Sequence, residues 1–199
     1  VNPSHWYVAS YLTVVIAATG LVMVPVHLAS YRERGVLRRF AAAGFPRWSF
    51  ALAQVLTGLV AVAVGSAILL AVAAPVYGLP HLHHAAPAIA GMALGAVAFV
   101  SLGVLLGSVL PSARAAQAVG LILFVPSFLL GAGGPPPNVM GSSVRGIAGY
   151  LPLTRVTDAV RNPWLGTGSG TTSLLIVAAL AVAATALALR RSAIGGRAL

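Results

Sequence analysis

The chain has 199 residues, of which 59% are hydrophobic and only 7% charged, with a mean hydropathy of +0.96; ordinary soluble domains carry about 25% charged residues. A soluble protein of this size cannot hide so much apolar surface, and disorder requires low hydrophobicity, so a polytopic membrane protein remains. The net charge of +10 comes from 12 arginines, no lysine and 2 acids; the arginines cluster between apolar runs, which predicts membrane topology and no nucleic-acid partner. With no cysteine, disulfides, thiolate metal sites and Cys nucleophiles are excluded.

A membrane helix needs roughly 20 apolar residues. In chain order the pattern predicts spans over 8–27, 50–74, 88–110, 115–133 and 171–189. A basic segment, 29–47, follows the first span. Prolines and glycine between 75 and 87 divide the second from the third. Pro126 is expected to kink the fourth. A Gly/Pro-rich connection over 134–170 is long enough to need structure of its own. Five arginines (Arg32, Arg34, Arg38, Arg39, Arg47) sit in the first connection, Arg114 in the third, and Arg190, Arg191 and Arg197 in the tail. Only Arg145, Arg155 and Arg161 lie on the other side. The richer side is expected to be cytoplasmic, with the C-terminus inside and the N-terminus outside. An outside start without a signal carries the expectation of about 20 to 60 upstream residues that include one more span.

The two acids, Glu33 and Asp158, both lie in connections. Ion-coupled carriers usually place titratable groups inside the membrane. The chain also lacks a phosphate-cradling Gly-x-x-x-x-Gly-Lys-Ser/Thr loop, a His-Glu-x-x-His helix and a Gly-x-Ser-x-Gly elbow. Uphill movement would need energy from another subunit. A membrane enzyme or assembly factor without a transport role, and a secondary carrier, are the alternatives.

In the first connection Val36, Leu37, Phe40 and Gly44 fall on one helical face, while the arginines project elsewhere. This pattern suits either an amphipathic helix over Arg32–Phe40 at the membrane surface or a plain basic flank. On the third span Gly91, Gly95, Gly103 and Gly107 form one stripe, suited to close packing inside the subunit or against a second one. Gln54, Thr57, Ser101 and Gln117 are expected to make interhelical hydrogen bonds. His81, His83 and His84 read as a solvated outer loop or a metal site without acids. In the long connection Leu153, Val156, Thr157 and Val160 share a face, and Asp158 lies three residues from both Arg155 and Arg161. Ile147, Leu151 and Val160 are expected to be shielded. Tyr150 and Trp164 should lie at the interface, and Arg155, Asp158 and Arg161 should face water.

The first connection resembles the cytoplasmic signature of type-2 ABC exporter permeases, roughly Glu-Arg-Gly-Thr-Leu-x-x-Leu-x-x-Thr-Pro. Glu33, Arg34, Gly35 and Leu37 match; Val36, Phe40, Ala43 and Gly44 stand for Thr, Leu, Thr and Pro, with Pro46 two residues on. The later run Leu151, Pro152, Leu153, Thr154 and Arg161 is similar to the family's outer element, with Met140-Gly141 where Met/Leu-Pro is usual. The resemblance implies a single all-α integral membrane domain over 1–199, five of the family's six spans. It implies a cytoplasmic coupling helix contacting an ATPase subunit through Arg32, Glu33, Arg34, Gly35, Leu37, Arg38 and Arg39. It also implies outer re-entrant short helices carrying Leu151, Pro152, Leu153, Asp158 and Arg161. It further implies a second permease subunit, identical or not, a lipid bilayer, and ATP and Mg held by the ATPase. The expected activity is export of a drug, lipid-linked compound, polysaccharide or peptide across a bacterial inner membrane.

Overall fold

The computed structural model describes residues 3–79, 81–135 and 139–194. Pro136, Pro137 and Arg197, and the side chain of Arg47, lie outside the described residues. Among the described residues every regular element is helical: α1 (Pro3–Ala18), a wide π turn (Thr19–Met23), α2 (Val24–Glu33), α3 (Val36–Ala42), α4 (Arg47–Tyr77), α5 (Ala85–Val109), α6 (Ala113–Ser127), a second π turn (Phe128–Ala132), α7 (Ser142–Tyr150), α8 (Pro152–Leu165) and α9 (Thr171–Ile194). Among the described residues five helices are long and apolar enough to span a membrane: Ser4–Glu33, Trp48–Tyr77, Ala85–Val109, Ala113–Ala132 and Thr171–Arg191. The protein is therefore an all-α polytopic membrane protein.

The first span overruns its expected end by about a turn and a half, because nothing before Gly35 forces a stop; Gly35 takes φ +68, a conformation that glycine adopts without steric cost. Inside this span Pro25 offers no N–H and crowds the carbonyl four residues back, that of Leu21. The helix answers with the wide turn at Thr19–Met23. A second wide turn lies at Phe128–Ala132, on the C-terminal side of Pro126; the crowding of the carbonyl four residues before a proline does not account for it.

Helix α5 is the hub. It packs against α9, α8, the first span, α4 and α6. In lipid there is no hydrophobic drive between helices, so close fit and hydrogen bonds must hold them. The glycine stripe supplies that fit within the subunit. A Cβ at Gly103 would overlap the Gly20 carbonyl, and one at Gly107 would meet Leu28 and Pro25. At Gly95 it would meet Val156, and at Gly91 the Ala159 carbonyl. Midway, at Phe99, the small residue changes sides: Gly20 of the first span admits the Phe99 backbone. Gly120 of α6 likewise lies against the Leu21 carbonyl at the wide turn, where Cα–H···O contacts can form. Among the expected polar ties, Ser101 meets Thr185 of α9 at 3.0 Å. Thr57 instead bonds the Ala53 carbonyl of its own helix at 2.8 Å, and Gln117 is exposed.

Of the five spans, α4 is the least enclosed. Leu52, Leu56, Val60, Val64, Ile68, Val72 and Val76 recur every four residues and are all exposed, an apolar stripe turned away from the bundle.

Gly103→Val should separate α5 from the first span and destabilise the protein by about 1–3 kcal/mol, the usual range for overpacking. Gly146→Val, at a position with open space around it, should cost much less. Thermal unfolding of the detergent-purified variants compares them; equal stability would contradict the close approach.

Candidate functional site

Two polar constellations lie at opposite ends of the bundle, and the first span reaches both. At the arginine-rich end, α2 stops at Glu33, Gly35 turns the chain, and α3 carries Leu37, Arg38 and Arg39 before Gly44 turns it again at φ +84. Arg34, Arg38 and Arg39 are exposed, and Leu37 is half-buried. The surface helix expected over Arg32–Phe40 is thus divided: Arg32 and Glu33 belong to the last turn of the first span. Gly44, expected on the apolar face, falls beyond the end of α3. Phe40 packs instead on Phe45 and Phe50, at centroid separations of 5.7 and 6.3 Å.

Arg32 and Glu33 brace the neighbouring turn. Arg32 Nη1 donates to the Gly107 carbonyl at 2.9 Å and the Leu110 carbonyl at 3.0 Å, at the end of α5. Glu33 Oε1 accepts the Ala113 N–H at 3.2 Å, at the start of α6. A cation thus meets a helix C-terminus and an anion a helix N-terminus, both favourable to the helix dipoles. Ser112 completes the N-cap of α6 by accepting the Ala115 N–H at 3.1 Å.

At the other end, the 134–170 connection forms two short helices. Leu151 is extended and Pro152 opens α8, a first-turn position where its missing N–H costs nothing. Leu153, Val156, Thr157 and Val160 are all buried, with Val156 and Ala159 seated on the glycines of α5. Pro152 itself is exposed and Leu151 half-buried.

Arg161 departs from expectation. It is 4% exposed, because it lies one turn beyond Thr157 on the buried face. Its Nη2 donates to Asp158 Oδ1 at 2.8 Å, its Nη1 reaches Ser10 Oγ at 3.4 Å, and its guanidinium carbon lies 3.6 Å from the Trp6 ring centroid. The Thr13 and Thr157 hydroxyls meet at 2.8 Å. Trp6, Ser10 and Thr13 share one face of α1 and form a polar seam with Thr157 and Arg161 of α8. Burial pushes the Asp158 carboxyl above its ordinary range, while Arg161 and Arg155 pull it down. Burial likewise pulls the Arg161 guanidinium down, against the opposing effect of Asp158. Trp6, Ser10 and Thr13 were missed by the sequence reading, although their i, i+4, i+7 spacing carried the signal.

Ile147, expected to be shielded, is 60% exposed, and Tyr150 is 89% exposed; α7 turns this face away from its own subunit. The histidine loop closes on α8: the His83 and His84 N–H groups donate to the Trp164 and Pro163 carbonyls, both at 3.1 Å. Among the described residues no group of three His, Cys, Asp or Glu side chains is arranged to hold a metal.

The family model of the ABC-2 type transporter matches residues 6–164, most of the chain and both constellations, and the chain belongs to that family. No curated protein and no solved structure matches it significantly. The protein is thus a membrane (permease) component of an ABC transporter, a family that implies an ATPase partner.

Arg161→Gln should cost about 3 kcal/mol, since it leaves Asp158 without its partner. Adding Asp158→Asn should recover part of that loss, because paired groups couple in double-mutant cycles. Thermal unfolding of the two single variants and the double variant measures the coupling; additive losses would argue against the pair. At the arginine-rich end Glu33→Ala should cost about 1 kcal/mol as a lost helix cap. Glu33→Gln, which keeps an acceptor oxygen, should cost less by the same measurement.

Proposed function

We propose that the chain is the permease half of an ATP-driven exporter. The observation that carries this reading is the first span, whose lower end runs through Gly35 into α3 and whose upper end meets α8 through Trp6, Ser10 and Thr13. Thirty helical residues reach about 45 Å, enough to join one membrane face to the other. Arg34, Gly35, Leu37, Arg38 and Arg39 form the segment on which an ATPase subunit docks. Arg32 and Glu33 act behind it by fixing the span to the α5–α6 turn.

ATP and Mg are held by the partner ATPase, and closure of two ATPase subunits moves α3. Because α2 is tied to α5 and α6, the push travels along the span instead of bending its end. At the far side it shifts α8, and α7 and α8 act as a lid that opens outward. Two permease subunits, identical or not, enclose the path. The substrate is a drug, lipid-linked compound, polysaccharide or peptide. The arginine-rich side and the C-terminus are cytoplasmic by the positive-inside rule, in a bacterial inner membrane.

Arg34→Glu with Arg39→Glu should lower co-purification of the ATPase and reduce efflux while leaving the unfolding temperature of the permease unchanged. Gly35→Trp should lower efflux similarly, because φ +68 strains any side chain and the bulk obstructs a partner. Normal efflux and normal ATPase recovery in both would overturn the docking role of α3.

A further inference from the structure

A cavity of ≈ 670 Å³ lies at the arginine-rich end, bounded by α2, α3, the start of α4, α5 and the end of α9. Its floor is apolar, with Leu28, Phe50 and Val104, and its rim holds Arg32, Arg38 and Arg191 against the single carboxylate of Glu33. Arg32 is bonded to carbonyls, which are neutral, so its charge is not cancelled. The Glu33 carboxylate accepts a backbone N–H. The mouth therefore carries a net positive charge above an apolar floor.

Its depth matches the membrane boundary. Trp48, one residue into α4, is 56% exposed, and Tyr31 at the end of the first span is 38% exposed; such aromatics favour the headgroup level. From the cavity wall at Ala53 the exposed stripe of α4 begins, with Leu52 and Leu56, and it continues toward the bilayer centre. An anionic headgroup at the rim would thus leave its acyl chains along an apolar surface. A water-soluble anion would have no use for that floor.

We propose that this cavity binds an anionic phospholipid of the adjoining leaflet and that the lipid braces α3, whose Leu37, Arg38 and Ala41 form one wall. Basic pockets between membrane helices recognise anionic headgroups, and each arginine near the surface contributes measurably. This goes beyond the coupling reading and does not depend on it, because the lipid is detected on the permease alone.

The test is native mass spectrometry of the full chain released from nanodiscs of equal phosphatidylglycerol and phosphatidylcholine. The wild type should retain phosphatidylglycerol selectively. Arg38→Gln with Arg191→Gln should weaken that retention roughly thirtyfold, from two surface arginines. Arg34→Gln with Arg39→Gln removes the same charge outside the cavity and should leave retention intact. Ala41→Trp, which fills the cavity without touching charge, should also expel the lipid, and circular dichroism checks that each variant remains helical. Equal loss in both arginine pairs would mean diffuse attraction and overturn the site. Undiminished retention in Arg38→Gln with Arg191→Gln, or in a helical Ala41→Trp, would overturn it too. Displacement of phosphatidylglycerol by millimolar inorganic phosphate would assign the rim to a free anion and overturn the lipid.

Discussion

The bundle depends on how closely helices can approach α5. Inside a bilayer, lipid tails compete with any apolar side chain, so contact quality holds helices together. The glycine stripe of α5 is divided between two partners. Gly91 and Gly95 seat α8, while Gly103 and Gly107 seat the first span. Between them Phe99 fills the stripe and Gly20 on the opposing span yields. One helix thereby fixes the height of both α8 and the span that leads into α3.

That placement makes the polar contacts affordable in physical terms. Burying a guanidinium is costly unless it is paired, and Arg161 meets a carboxylate, an aromatic face and a hydroxyl at once. Arg is suited to this because its planar group stacks on a ring while its edge hydrogen-bonds. At the opposite end Arg32 and Glu33 work in a more exposed setting, where capping partners contribute less but define the angle of the α5–α6 turn. The wide turn between these ends exposes the Gly20 and Leu21 carbonyls, which Gly103 and Gly120 cover. The first span is therefore gripped at its top, middle and bottom.

Much of this was legible in the sequence, for reasons of period and composition. Long uncharged runs fixed the five spans, and spacing of four exposed the α5 stripe. The shared face of Leu153, Val156, Thr157 and Val160 anticipated the buried side of α8. Arg161 is the exception: its charge points to water, yet it lies one turn beyond Thr157 on the same buried face. The roles of Arg32 and Glu33 were hidden for another reason: Gly107 and Ala113 lie 75 and 80 residues away, and no local pattern records such a partner. The wide turn at Thr19–Met23 had only Pro25 as its sign, and proline more often signals a kink.

The chain's two acids complete this division of labour. Glu33 answers the Ala113 N–H at the start of α6, and Asp158 answers the guanidinium that joins α8 to α1. Each stands at an end of the bundle and is committed to holding a particular helix in place. On the function proposed above, force enters through α3 and travels along a span held at three levels. The two acids and the glycine packing thus act on the same element, and the first span is where polar contacts and close fit meet.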